Sequence, residues 1–293
     1  MSLLSGKRVL ITGSSRGLGR AFAIAMAQEG ASVMLNGTNT AALADAEAAV
    51  RAVGGPVASL AGSVADSAVC ARLVQGCIES FGGIDILINN AGVVRDRTLA
   101  KMTDAEFDEV IAVHLRGSFV CGRHAAAAMR EQGGGQIINV ISNSGLTGGF
   151  GQSNYAAAKS GMLGLQRTWV LELSRYGIRC NAFWPIADTD MTHVVFDNAA
   201  RDAASKGLPA PTPAALGFGS PAEVAQGMVW LASDAAQHFN GQIVTFNGRK
   251  TALWTQPREM HEAFRATPWT AADLAQHYAA IAPEALYQAR FVE

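Results

Sequence analysis

Short apolar runs rich in β-branched residues recur along the chain at 9–12, 32–35, 57–60, 84–89, 136–141, 179–184 and 243–246. Between them lie alanine-rich amphipathic stretches at 18–29, 41–53, 68–81, 104–129, 155–176 and 222–231. Runs this short, apolar nearly throughout, predict strands covered by helices on both faces. Strand alternating with helix, joined by right-handed crossovers, predicts an α/β fold: a doubly wound, Rossmann-like parallel sheet. Ligands of such sheets sit beyond the carboxyl ends of the strands, so the residues that end each run are the first site candidates.

Two stretches break the rhythm. Residues 187–219 carry Pro209, Pro211, Pro213, Gly207, Gly217 and Gly219, and read as an irregular insertion that serves as a lid or substrate loop. Residues 251–293 follow the last run as a C-terminal extension with Trp254, Trp269 and Tyr278. Thr270 with Asp273 three positions on has the form of a capping box that opens a helix through Leu274, Tyr278 and Ile281. The expected organisation is a catalytic domain over 1–250, with the extension packed on that same domain.

Composition narrows the function. The 293 residues are 49% hydrophobic with a net charge of −1, which gives no electrostatic footprint for nucleic acid or an anionic membrane. No apolar stretch approaches the roughly 18 residues of a spanning helix. The opening MSLLSGKRVLITG runs straight into a strand, with no room for a signal peptide. Cys70, Cys77, Cys121 and Cys180 lack CxxC spacing and read as free thiols of a cytoplasmic protein. The histidines show no metal-ligand spacing.

Chemistry enters at the first strand–helix junction, Thr12-Gly13-Ser14-Ser15-Arg16-Gly17-Leu18-Gly19. Glycines there permit a tight turn, and the helix N-terminus behind it attracts a pyrophosphate, so a dinucleotide site is expected. The second strand ends Leu35-Asn36-Gly37-Thr38, without the carboxylate that would accept hydrogen bonds from the ribose of NAD. With Arg16 and Thr38 near, NADP is favoured and NAD remains the alternative. Tyr155 and Lys159, four apart on a helix, share one face, and Ser142 ends the fifth strand. An ammonium beside a phenol draws its pKa toward working range, which makes a coherent carbonyl-reduction site.

These motifs together resemble the short-chain dehydrogenase/reductase family over residues 6–248: TGSSRGLG, NNAG at 89–92, Ser142, YAAAK at 155–159, and Pro185 with Thr189. The resemblance implies Tyr155 as general acid/base, Lys159 as ribose-binding and tuning residue, and Ser142 as carbonyl-orienting residue. It implies Asn89, Ala91 and Gly92 along the adenosine side, and Thr189 near the carboxamide or phosphates. Residues 89–119 and 149–165 are similar to the (3R)-hydroxyacyl-CoA dehydrogenase domain of peroxisomal multifunctional enzyme type 2. The Arg16 and Thr38 pattern is similar to bacterial 3-oxoacyl-carrier-protein reductases. Four positions depart. His114 stands where most of the family has Asn, as a substitute in the proton relay or as a structural helix residue. Gly37 replaces an Asp used for NAD, Ser63-Val64 replaces Asp-Val against adenine, and Ile186 replaces the Gly after Pro185.

The expected function is hydride transfer between a nicotinamide and a carbonyl or secondary alcohol, with a 3-oxoacyl or 3-hydroxyacyl thioester such as an acyl-CoA as substrate. A cyclic, steroid-like or xenobiotic ketone is the alternative, and a non-catalytic cofactor-sensing regulator a third. A homodimer or homotetramer is implied by the family likeness.

Overall fold

The computed structural model describes residues 2–282. The first part of the chain alternates β1 (Arg8–Ile11), α1 (Gly17–Gln28), β2 (Ser32–Gly37), α2 (Thr40–Ala52), β3 (Val57–Ala61), α3 (Ser67–Phe81) and β4 (Ile86–Asn89). Next come α4 (Asp104–Val110), a π-helical turn (Ile111–Arg116), α5 (Gly117–Gln132), β5 (Gly135–Val140), the short α6 (Ser144–Thr147) and α7 (Ser153–Leu173). The remainder is β6 (Ile178–Pro185), α8 (His193–Ser205), α9 (Pro221–Ala232), β7 (Ile243–Phe246), β8 (Thr251–Leu253) and α10 (Ala271–Ala279).

The strands form one sheet in the order β3-β2-β1-β4-β5-β6-β7-β8. All neighbours are parallel except β7 with β8. The order reverses between β1 and β4, so the crevice beyond the carboxyl ends of these two strands is the expected ligand site. Both faces of the sheet are buried. Val9, Ile11, Val33 and Ile88 pack with Phe22, Met26 and Met228 on one side, while Leu10, Met34 and Leu87 pack with Leu73, Cys121 and Met129 on the other. This two-sided burial is why the strands read as continuous apolar runs.

Three elements differ from the sequence-based reading. The stretch 104–129 is not one helix: its hydrogen bonding slips to i→i+5 over Ile111–Arg116 before α5 begins. The insertion at 187–219 is not wholly irregular. Its glycines and prolines lie after residue 206, and its first half forms α8, whose Phe196 ring meets Phe218 edge-on at 5.0 Å. Residues 251–253, placed in the extension by sequence, add an antiparallel strand to the sheet. There Trp254 donates its indole N–H to Thr245 Oγ1 at 2.8 Å and its ring lies 5.5 Å from that of Trp184.

Contacts divide the chain into two units, Met1–Trp254 and Thr255–Glu293. In the second, Thr270 and Asp273 form the expected capping box, and α10 ends at Ala279, with Ile281 just beyond it. Residues 283–293 of the expected extension lie outside the described residues.

Candidate active site

The loop after β1 is shaped by close approach. Gly13 has φ +62°, and a Cβ there would lie 2.6 Å from Ala91 Cα; a Cβ on Gly19 would strike the Gly13 carbonyl. The Thr12 hydroxyl accepts from the amides of Asn90 and Ala91, and the Asn90 side-chain amide donates to the carbonyls of Thr12 and Gly13. Asn90, which the sequence reading passed over, therefore clamps the loop to the end of β4. Behind the loop, α1 begins at Gly17. Its N-cap Arg16 makes no side-chain capping bond, and its first turn carries no acid. Gly17 (φ +55°) faces open space. An N-terminus whose N–H groups no side chain satisfies, fronted by room, fits a bound phosphate.

Around it, Gly37 is buried at the end of β2 and Thr38 is exposed beside it. Asn36 is tied inward, accepting from the Gly13 amide and donating to the carbonyls of Leu60 and Gly62. A Cβ on Gly37 would fall 2.6 Å from Ser15 Oγ, so the absence of a side chain there is matched to the serine across from it. Arg16 is exposed and lies 3.4 Å from Asp190. Ser63 Oγ accepts from the Ala65 amide, and Val64 is buried next to it. Leu18 is half-buried and packs on the core. Asn89 is buried among the strands, donating to Asn139 Oδ1 at 2.9 Å; its own Oδ1 has no partner. Pro185 ends β6, the Ile186 amide donates to Phe246, and Thr189 opens the 3₁₀ turn that leads to α8.

Ser142, Tyr155 and Lys159 converge as their spacing implied. The Ser142 hydroxyl acts on the Tyr155 phenol and favours its ionised form, and Lys159 Nζ lies 5.5 Å from the tyrosine ring centre. Lys159 is 3% exposed, and its ammonium donates to the Val140 carbonyl at 2.6 Å. Burial without a carboxylate partner lowers its pKa to about 7. Burial also pushes Tyr155 up to about 12, against the lowering effect of Ser142. Thus the lysine does not, in this structure, bring the phenol into working range; desolvation is the larger effect.

His114 sits in the π-helical turn and is buried. Its Nε2 lies 2.8 Å from the Val93 carbonyl and 3.0 Å from the Val93 amide N–H, so it pins the strand-end segment whichever tautomer is present. Its ring meets Tyr155 edge-on at 5.1 Å. Desolvation, then the charge of Lys159, lowers its pKa to about 3, which keeps it neutral. Gly92 is part of the same arrangement, since a Cβ there would run into the imidazole. Nδ1 of His114 is buried and unpartnered. Sequence reasoning also missed Asp96, Ser144 and Gln152, which join Ser142 through hydrogen bonds; nothing in their local spacing signals the contact.

The short chain dehydrogenase family model matches residues 7–200, and the chain belongs to that family. It is 38% identical over 288 aligned residues to hydroxyacyl-CoA dehydrogenase ChsB1 of Mycobacterium tuberculosis, covering 92% of this chain and 87% of that one. It is 37% identical to 3-oxoacyl-[acyl-carrier-protein] reductase FabG of Thermotoga maritima, covering 84% and 98%. A short chain dehydrogenase structure from Mycobacterium avium superposes with a TM-score of 0.81 at 34% identity, covering 94% of each chain. The protein is an oxidoreductase acting on CH–OH groups with a nicotinamide cofactor. Among the described residues no helix is long and apolar enough to cross a membrane.

Proposed function

We propose that this protein interconverts a 3-oxoacyl and a 3-hydroxyacyl thioester, with NADP as its cofactor. The observation that carries the thioester reading is the extent of the likeness to the hydroxyacyl-CoA dehydrogenase. A match over 92% of the chain is more than residues 1–254 can supply, so it runs on into the extension.

When bound, the nicotinamide would supply or take the hydride. In the reduction direction, Tyr155 donates its proton to the carbonyl oxygen as charge develops there, and Ser142 donates a hydrogen bond to the same oxygen. Lys159, buried below, holds the ribose of the cofactor and stabilises the phenolate that remains. The α1 N-terminus, with Gly13, Ser15, Arg16, Gly17, Leu18 and Gly19, takes the pyrophosphate side. Thr38 and Arg16 serve the 2′-phosphate, for which Arg16 must leave Asp190. Ser63 and Val64, then Asn89, Ala91 and Gly92, line the adenosine side, and Pro185, Ile186 and Thr189 the nicotinamide side. By its likeness to the family, the protein forms a homodimer or homotetramer.

His114 acts by pinning Val93 to the π turn beside Tyr155. His114→Asn, whose amide offers both a donor and an acceptor to the Val93 backbone, is expected to keep kcat within several-fold; His114→Leu, which offers neither, is expected to lose at least tenfold. Equal, near-full activity in both variants would remove the residue from the mechanism.

The substrate class is tested by shortening the thioester. If the coenzyme A arm is bound, its remote contacts contribute to catalysis, and kcat/KM should fall markedly from acetoacetyl-CoA to its N-acetylcysteamine analogue. A cyclic ketone turned over far faster than either thioester, at saturating NADPH, would overturn the acyl reading and leave the oxidoreductase class untouched.

A further inference from the structure

Behind Ser142 runs a chain of side chains that the catalytic reading does not use. Ser142 Oγ donates to Ser144 Oγ at 3.3 Å, Ser144 Oγ donates to Gln152 Oε1 at 2.7 Å, and Gln152 Nε2 donates to Asp96 Oδ2 at 2.9 Å. Its direction follows from donor chemistry. An ionised carboxylate only accepts, so the Gln152 amide nitrogen must face Asp96 and its oxygen must face Ser144. The Ser144 proton is then committed to Gln152, so the single Ser142 proton is directed to Ser144 Oγ or, at 3.1 Å, to Asn143 Oδ1, and turns from them to the carbonyl oxygen when substrate is bound. The Ser144 amide N–H also donates to Ser142 Oγ at 3.2 Å.

The segment that carries Asp96 is held firmly. The Arg97 amide donates to the Gly151 carbonyl at 2.8 Å, Arg97 and Gln152 form a β-bridge, and the Asn154 side chain donates to the Arg95 carbonyl at 2.9 Å. Yet Asp96 Oδ1 is buried without a partner. A carboxylate oxygen left bare in the interior is destabilising, so the chain is a poor device for stability alone. The flanking cations do not compensate it, since Arg95 pairs with Glu109 and Arg97 with Glu106.

We propose that Asp96 and Gln152 are positioning residues for the Ser142–Tyr155 pair, Asp96 fixing through Gln152 and Ser144 where the Ser142 oxygen sits, and standing as the negative charge behind the tyrosine. The proposal rests on the roles given above to Ser142 and Tyr155. The Lys159 ammonium and the neutral His114 ring face Tyr155, and the Ser142 hydroxyl and the Asp96 carboxylate act on its ionisation. Of the charged ones, Asp96 opposes formation of the phenolate.

Two variants separate charge from geometry. Asp96→Asn keeps an acceptor for Gln152 and removes the charge. In the alcohol-oxidation direction, the rise of kcat/KM with pH should move to lower pH by about half to one unit. An ultraviolet phenolate titration of the cofactor-free protein, referenced to Tyr155→Phe, should move the same way. Gln152→Met keeps the volume and the charge but breaks the chain. Its kcat should fall about tenfold with KM nearly unchanged, and its pH profile should not move downward. Ser144→Ala cuts the chain one link nearer and should behave like Gln152→Met, giving a second reading if that variant folds poorly. An unmoved titration in Asp96→Asn, or an effect of both chain-breaking variants on KM alone, would overturn the proposal. The titration reads Tyr155 whatever the substrate, so failure of the thioester assignment leaves it intact.

Discussion

Tyr155→Phe is expected to lower turnover by about 10²–10⁴-fold while cofactor binding survives, because the ring stays and only the transferable proton is lost. The surroundings of the tyrosine sharpen the expectation. With its pKa near 12, Tyr155 is protonated at neutral pH and ready to act as an acid in reduction. Oxidation needs the phenolate, so the wild-type oxidation rate should climb as pH rises toward that value, and the climb should vanish in the variant. Lys159 separates itself from the tyrosine by doing two things: Lys159→Met should weaken both turnover and cofactor affinity. The measurement is steady-state kinetics on a verified substrate together with fluorescence titration of the cofactor. Near-wild-type turnover in Tyr155→Phe would end the mechanism proposed here.

The second large effect concerns cofactor choice, and it requires two substitutions. An Asp at position 37 would repel a 2′-phosphate and accept hydrogen bonds from a ribose, but its Cβ would meet Ser15 Oγ at 2.6 Å and Ser15 Cβ at 2.7 Å. Gly37→Asp alone therefore displaces the phosphate loop and should weaken both cofactors. Ser15→Gly with Gly37→Asp clears the space and should move preference from NADPH toward NADH by about 1–3 kcal/mol, the scale of a charge-assisted hydrogen bond. Titrating both cofactors against wild type, the single variant and the pair checks this. Tighter NADH binding by the unmodified protein would contradict the proposed NADP preference.

Much of this architecture was legible because one physical rule governs it. A parallel sheet buried on both faces needs strands such as Ile86–Asn89 that are apolar nearly throughout, and these stand out from any amphipathic helix. Tyr155, Lys159 and Ser142 were legible because two share a helical spacing and the third ends a strand. What escaped notice depends on contacts between distant parts of the chain. The π turn around His114 inserts one residue's worth of slip into a helical pattern that still looks helical, and its stabilising partner, Val93, is 21 positions away. The three residues of β8 are too few to show a period. The first half of the insertion was masked by the prolines and glycines of its second half, although His193–Ser205 lacks both. Asp96 and Gln152, 56 positions apart, carry no local signature at all. The interlock of Ser15 with Gly37 is of the same kind, since each residue alone reads as an ordinary loop position.

The antiparallel strand that closes the sheet bears on self-association. A strand at the rim of a sheet offers a row of unpaired N–H and C=O groups as a template for a neighbouring molecule. Here β7, the last of the parallel strands, has that row taken up by Thr251–Leu253 of the same chain. Among the described residues, strand addition by another copy is thereby left to β3 at one rim or to a three-residue ribbon at the other. So short a ribbon gives few hydrogen bonds to a partner, so joining of copies on the β7 side must be made by side chains on helices and loops, which can be selective, rather than by backbone pairing, which is not.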